Sequence, residues 1–128
     1  MYRRLISRSQ QILAGFFVFT GVMHFLRPKS YEAIVPPQSP VPPKEAVQWS
    51  GVAEIVGGLA VASRATRPAA RWWLLGLLAA VFPANVYMAT NAEDVPGLDL
   101  ERIPRWTLWA RLPLQPLAMV WVWRATSQ

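Results

Sequence analysis

There is no cysteine in the 128 residues, and histidine occurs once. The first absence excludes disulfides, a thiolate nucleophile, iron–sulfur clusters and cysteine-based zinc sites. The second excludes a bis-histidine haem, and leaves His24 too isolated to build a zinc site, which needs three or four ligands. No metal site is expected. Charge is also scarce, at 16% of residues against 53% hydrophobic. Intrinsic disorder requires the opposite balance. One domain over residues 1–128 is expected from the length. What charge there is favours the base: 13 Lys plus Arg against 7 Asp plus Glu, a net +6. No nucleic-acid-binding motif accompanies it, so no nucleic-acid partner is expected.

The information lies in where charges are missing. Ser9–Leu26 has none over 18 residues and Trp72–Ala92 none over 21. Two further apolar stretches hold one ionisable group each: Glu54 in Ala46–Ala62 and Arg111 in Trp106–Trp123. A helix crossing about 30 Å of hydrocarbon needs about 20 residues, with about 17 at the lower end. The sequence therefore predicts an all-α fold, a four-transmembrane-helix antiparallel bundle with helices at about 9–26, 46–62, 72–91 and 106–123. The mean hydropathy of +0.22 is low for such a protein. Polar loops and inward-facing polar groups account for it. Arg3, Arg4 and Arg8 ahead of an apolar run imitate a signal peptide, but no A-x-A-like site follows, and the run is read as a retained first span.

Four spans place the N-terminus, the 63–71 turn and the C-terminus on one side. That side collects Arg3, Arg4, Arg8, Arg64, Arg67, Arg71 and Arg124 and no acid, whereas the other mixes five bases with six acids. Positive residues mark the cytoplasmic face, so both termini are expected there, in a multi-pass protein of the bilayer. The seven tryptophans all fall near span ends, as interfacial belts require. Between the first two spans, Pro28, Pro36, Pro37, Pro40, Pro42 and Pro43 favour an extended outer loop. Pro83, Pro113 and Pro116 predict kinks within the third and fourth spans.

Each span also carries a polar or small-residue stripe. In the second, Ser50, Gly51, Glu54, Gly57, Gly58 and Val61 share one face. Measured from the outer boundary at ~1.5 Å per residue, His24 lies ~4 Å deep, Arg111 ~8 Å, Asn85 ~9 Å, Glu54 ~12 Å and Gln115 ~13 Å. The polar groups thus gather in one half of the bilayer. Intramembrane charges face inward and pair, which predicts a Glu54–Arg111 ion pair with Asn85, Gln115, Ser50 and His24 completing its hydrogen bonds. Two readings of that cluster stay open: a ligand or proton site, and a structural lock between the second and fourth spans.

Gly21-Val22-Met23-His24-Phe25, Ile34-Val35-Pro36-Pro37, Ser50-Gly51-Val52-Ala53-Glu54-Ile55-Val56-Gly57-Gly58, Phe82-Pro83-Ala84-Asn85-Val86 and Arg111-Leu112-Pro113-Leu114-Gln115 follow one another in order. Over about residues 11–124 this string resembles the DoxX-like family of small bacterial membrane proteins. The resemblance implies a four-helix bundle in the bacterial inner (plasma) membrane. It also implies an association with quinone-linked oxidation of sulfur compounds and with terminal oxidases. Cysteine-pair chemistry found in neighbouring membrane redox proteins is out of reach here, which leaves quinone handling. The expected function is an accessory or quinone-like small-molecule-binding subunit of a membrane redox system, with no intrinsic cofactor and no stand-alone enzyme activity. Its partners would be lipid, membrane redox proteins and other copies in an oligomer. A small proton-linked transporter, favoured by the proline-broken spans, and a non-catalytic membrane scaffold are the alternatives.

Overall fold

The computed structural model describes residues 6–98 and 100–128. Arg3, Arg4 and Asp99, which enter the charge distribution above, lie outside the described residues. Four long helices dominate: α1 (Arg8–Leu26), α3 (Pro43–Ala62), α4 (Arg67–Thr90) and α5 (Arg105–Thr126). A five-residue helix, α2 (Pro28–Glu32), follows α1, and a 3-10 turn (Ala92–Asp94) follows α4. No strand occurs among the described residues. Two of the helices, α1 and α4, are long and apolar enough to cross a membrane.

Local chemistry sets the boundaries. Ser7 caps α1 through a reciprocal pair: its hydroxyl accepts from the Gln10 N–H at 3.1 Å, and its own N–H donates to Gln10 Oε1 at 3.0 Å. Proline sits in the first turn of α2, α3 and α4, where its missing N–H costs nothing. This is why the segment after α1 is not the extended loop that its prolines suggest. Pro28 starts a helical turn instead of preventing one. It is also why α3 and α4 begin several residues before the apolar stretches do.

The long helices run antiparallel. Gly21 of α1 opposes Gly51 and Ile55 of α3, while the earlier Ala14 opposes the later Gly58. In the other pair, Arg71 of α4 reaches Thr126 of α5, and Leu78 reaches Gln115. The packing differs between the two ends of the bundle. Near the chain termini Leu13, Phe17, Val61, Leu74, Val122 and Ala125 form one core drawn from all four long helices. At the opposite end a smaller core of Met88, Ala89, Ala92, Val95 and Leu108 belongs to α4, the 3-10 turn and α5 alone. Ala33 and Ile34, just after α2, lean against it and join the α1–α3 pair to the α4–α5 pair.

The outer faces of all four long helices are apolar. Phe19 is 63% exposed, Leu59 61%, Trp72 64% and Trp106 70%. Pro83, Pro113 and Pro116 lie inside continuous helices. Pro83 leaves the Ala79 carbonyl without its helical donor. One residue away, Leu78 O takes a second donor from Gln115 Nε2 at 2.6 Å.

Candidate functional site

The tight approach of α1 to α3 builds the site. A Cβ on Gly21 would sit 2.7 Å from the Gly51 carbonyl oxygen, and one on Gly51 would sit 2.9 Å from His24 Cβ. Only hydrogen fits at either position, so the backbones come close enough for short polar side chains to meet across them. Glu54 of α3 accepts a hydrogen bond at Oε1 from the Thr20 hydroxyl of α1, at 3.1 Å. Its Oε2 lies 3.0 Å from His24 Nδ1.

That second contact is an ion-pair distance without hydrogen-bond geometry. Nδ1 also lies 2.6 Å from the Thr20 carbonyl, which only an N–H at that nitrogen can satisfy. The neutral ring therefore carries its proton on Nδ1 and points it at its own helix. Glu54 Oε2 is buried and has no hydrogen-bond partner among the described residues. On the other side of the ring, Nε2 accepts from the Ser50 hydroxyl at 3.4 Å, a long bond. Tyr31 of α2 stacks on the imidazole, with centroids 3.9 Å apart and planes inclined by 19°. Burial, then the Glu54 carboxylate, push the Tyr31 phenol above its ordinary range, while Arg111 pulls it down. His24 also forms one wall of an open cleft of about 330 Å³, shared with Phe25, Pro28, Lys29, Glu32, Lys44 and Gln48.

The expected Glu54–Arg111 pair is not formed. Arg111 is exposed on α5 and makes no ion pair or hydrogen bond among the described residues, though its field reaches Tyr31. Glu54 faces α1, and the acid takes the histidine as its neighbour. Asn85 and Gln115 are likewise elsewhere. Asn85 Nδ2 donates to Gln115 Oε1 at 3.0 Å, and together with the bond to Leu78 O this ties α4 to α5. The six residues thus divide into His24, Glu54 and Ser50 between α1 and α3, the pair Asn85–Gln115, and Arg111 by itself.

Thr20 and Tyr31 complete the first group. Thr20 shares a helical face with His24, a spacing visible in the sequence. Tyr31 depends on α2, which no hydrophobic periodicity announces. Arg67 and Arg71 also carry more than positive charge. Arg67 is buried, and its Nε donates to Val61 O at 2.8 Å. Arg71 donates to both the hydroxyl and the carbonyl of Thr126 at 3.0 Å, and lies over the Trp123 ring. Both close the carbonyl-rich C-terminal ends of neighbouring helices.

Among the described residues no three His, Asp or Glu side chains come together as a metal site would need. No curated protein and no solved structure matches the chain. A family model does, over residues 13–126, and it supplies no link to the DoxX-like proteins. By that match the chain belongs to the family described as domain of unknown function DUF8561.

Proposed function

We propose that the chain is a multi-pass protein of the bacterial inner membrane, with all four long helices spanning and both termini cytoplasmic. In this reading it binds the polar head of a small quinone-like amphiphile at His24, as an accessory subunit of a membrane redox system. Three features support the membrane part. Large apolar side chains cover the outer face of every long helix, more than a protein in water tolerates. Tryptophans form two bands, Trp106 and Trp109 against Trp121 and Trp123 on α5, about 20 Å apart at 1.5 Å per residue. Arg8, Arg64, Arg67, Arg71 and Arg124 gather at the end bearing the termini, with no acid among the described residues there. The charges within α3 and α5 are confined to Lys44, Glu45 and Glu54 in one and Arg105, Arg111 and Arg124 in the other.

The observation that carries the binding part is Glu54 Oε2, a buried acceptor without a donor, behind a histidine that faces an open cleft. Native proteins satisfy buried polar atoms with few exceptions, and the exceptions mark groups kept for a task. A quinone-type head supplies a hydroxyl or carbonyl edge to the cleft. His24 takes the proton of a quinol hydroxyl at Nε2, where the long bond from Ser50 is easily displaced, as the quinol gives up its electrons to the partner. The imidazolium so formed has two N–H groups, and its positive charge lies 3.0 Å from the Glu54 carboxylate, which then has a full counter-ion. Tyr31 covers the ring face and keeps bulk water from competing. Electron transfer belongs to a partner.

Titration of purified protein in detergent with a short-chain quinol analogue tests the reading. Saturable binding that Glu54→Gln weakens at least several-fold is expected; equal affinity in the two proteins overturns it. A second reading, that Glu54 only braces α1 to α3, draws on its hydrogen bond from Thr20. Unfolding of the same variant separates the two, because a brace loses stability when cut.

A further inference from the structure

The cleft beside His24 has a charge pattern of its own. Lys29 of α2 and Lys44 of α3 line it together with a single acid, Glu32, and the amide of Gln48. Neither lysine has an ion-pair partner among the described residues, although Glu32 shares the wall. Phe25, which is 46% exposed, and Pro28 provide an apolar side. A volume of about 330 Å³ falls at the lower end of the range for small-ligand sites. Two fixed cations and one anion leave a net single positive charge.

We infer that this cleft seats the phosphodiester headgroup of a membrane lipid, with Lys29 and Lys44 on the phosphate oxygens and the first acyl carbons against Phe25. The net charge selects the source. A phosphodiester carries one negative charge and balances the cleft, whereas free phosphate is partly dianionic near neutral pH and meets the Glu32 carboxylate with the excess. Gln48 is placed to donate to a headgroup hydroxyl. The site lies at the end of α1 and the start of α3, where chains that cross a bilayer emerge at headgroup level. In that respect the inference rests on the proposed membrane embedding, and the headgroup takes the same cleft that the small amphiphile at His24 would enter, so the two compete for it.

The test is titration of detergent-solubilised full-length protein with dioctanoyl phosphatidylglycerol, read by native mass spectrometry and calorimetry. Dioctanoylglycerol, which lacks the phosphate, and inorganic phosphate serve as parallel arms. One saturable phosphatidylglycerol per chain is expected, with affinity falling at least ten-fold in Lys29→Gln/Lys44→Gln and unchanged in Arg64→Gln at the opposite end. Circular dichroism establishes that each variant keeps its helices. Equal binding of dioctanoylglycerol overturns the phosphate contact, and inorganic phosphate binding as tightly as the lipid overturns the lipid as source. Loss of binding in Arg64→Gln in place of the lysine variant moves the site to the wrong end. Resistance of the expressed protein to carbonate extraction is measured separately. Release by carbonate overturns the membrane embedding itself, whereas retention with no lysine-dependent binding overturns the cleft alone.

Discussion

At the end of the bundle that carries the termini, buried polar side chains close helices. Gln10 donates to Ala125 O at 2.9 Å, Arg67 to Val61 O and Arg71 to Thr126 O, so carbonyls left over at the ends of α3 and α5 gain donors from another helix. At the other end Thr20, His24, Ser50 and Glu54 meet across two helices, His24 turns its Nδ1 proton to the Thr20 carbonyl of its own helix, and one oxygen of Glu54 is left over. Both ends bury polar groups. In the first the cost of burial is offset by charge-assisted bonds to groups that need a donor. In the second it is only partly offset, and it persists beside an open cleft. The proposed binding site rests on this contrast between complete and partial satisfaction.

Substitutions at the two ends should therefore behave differently, and unfolding in detergent micelles compares them directly. Arg67→Ala removes a buried cation that caps α3, and should cost about 3 kcal/mol. A cost below about 1 kcal/mol would erase the contrast at its strong end. Gly21→Ala pushes a methyl group towards the Gly51 carbonyl and should cost about 2 kcal/mol by forcing α1 away from α3. In that variant a loss of ligand binding larger than the loss of stability would show that the site needs the close approach. Gln115→Leu gives up the bonds to Leu78 O and Asn85, and should cost about 1 kcal/mol, the usual scale for polar contacts between membrane helices. Glu54→Gln should move stability by less than about 0.5 kcal/mol, because the amide oxygen still accepts from the Thr20 hydroxyl. A cost of about 3 kcal/mol there, the scale for breaking a buried pair, would make His24–Glu54 a brace and place it with the opposite end.

Much of the helical layout was legible because long charge-free runs are hard to mistake. Leu26 ends both the first apolar run and α1, and Ala62 ends both the second stretch and α3. The starts of α3 and α4 were less legible, since Lys44, Glu45, Arg67 and Arg71 belong to helices but not to apolar stretches. The direction in which the polar groups face was not legible. Counting residues from a boundary places Glu54 and Arg111 at similar depth, yet depth says nothing about which neighbour each helix face meets. Here the glycines decide: Gly51 draws α3 against α1, and Glu54, three residues on, turns with it towards Thr20 and His24. Tyr31 was hidden for a different reason. Proline was read as a helix breaker at Pro28, where it acts as a helix starter.

The Tyr31 ring reaches His24 only because one short turn stays wound. α2 has five residues and none of them is buried. Its last turn is fastened by the bond from Ala33 N–H to Lys29 O at 3.1 Å. A lone turn of helix is barely stable in water, so it unwinds locally at a small fraction of the free energy that unfolds the bundle. Fraying of these five residues thereby adds to the access that the open cleft already gives the imidazole. Amide protons of residues 30–33 should exchange far faster than those of the helices beneath them, at a rate that tracks the opening of the ring.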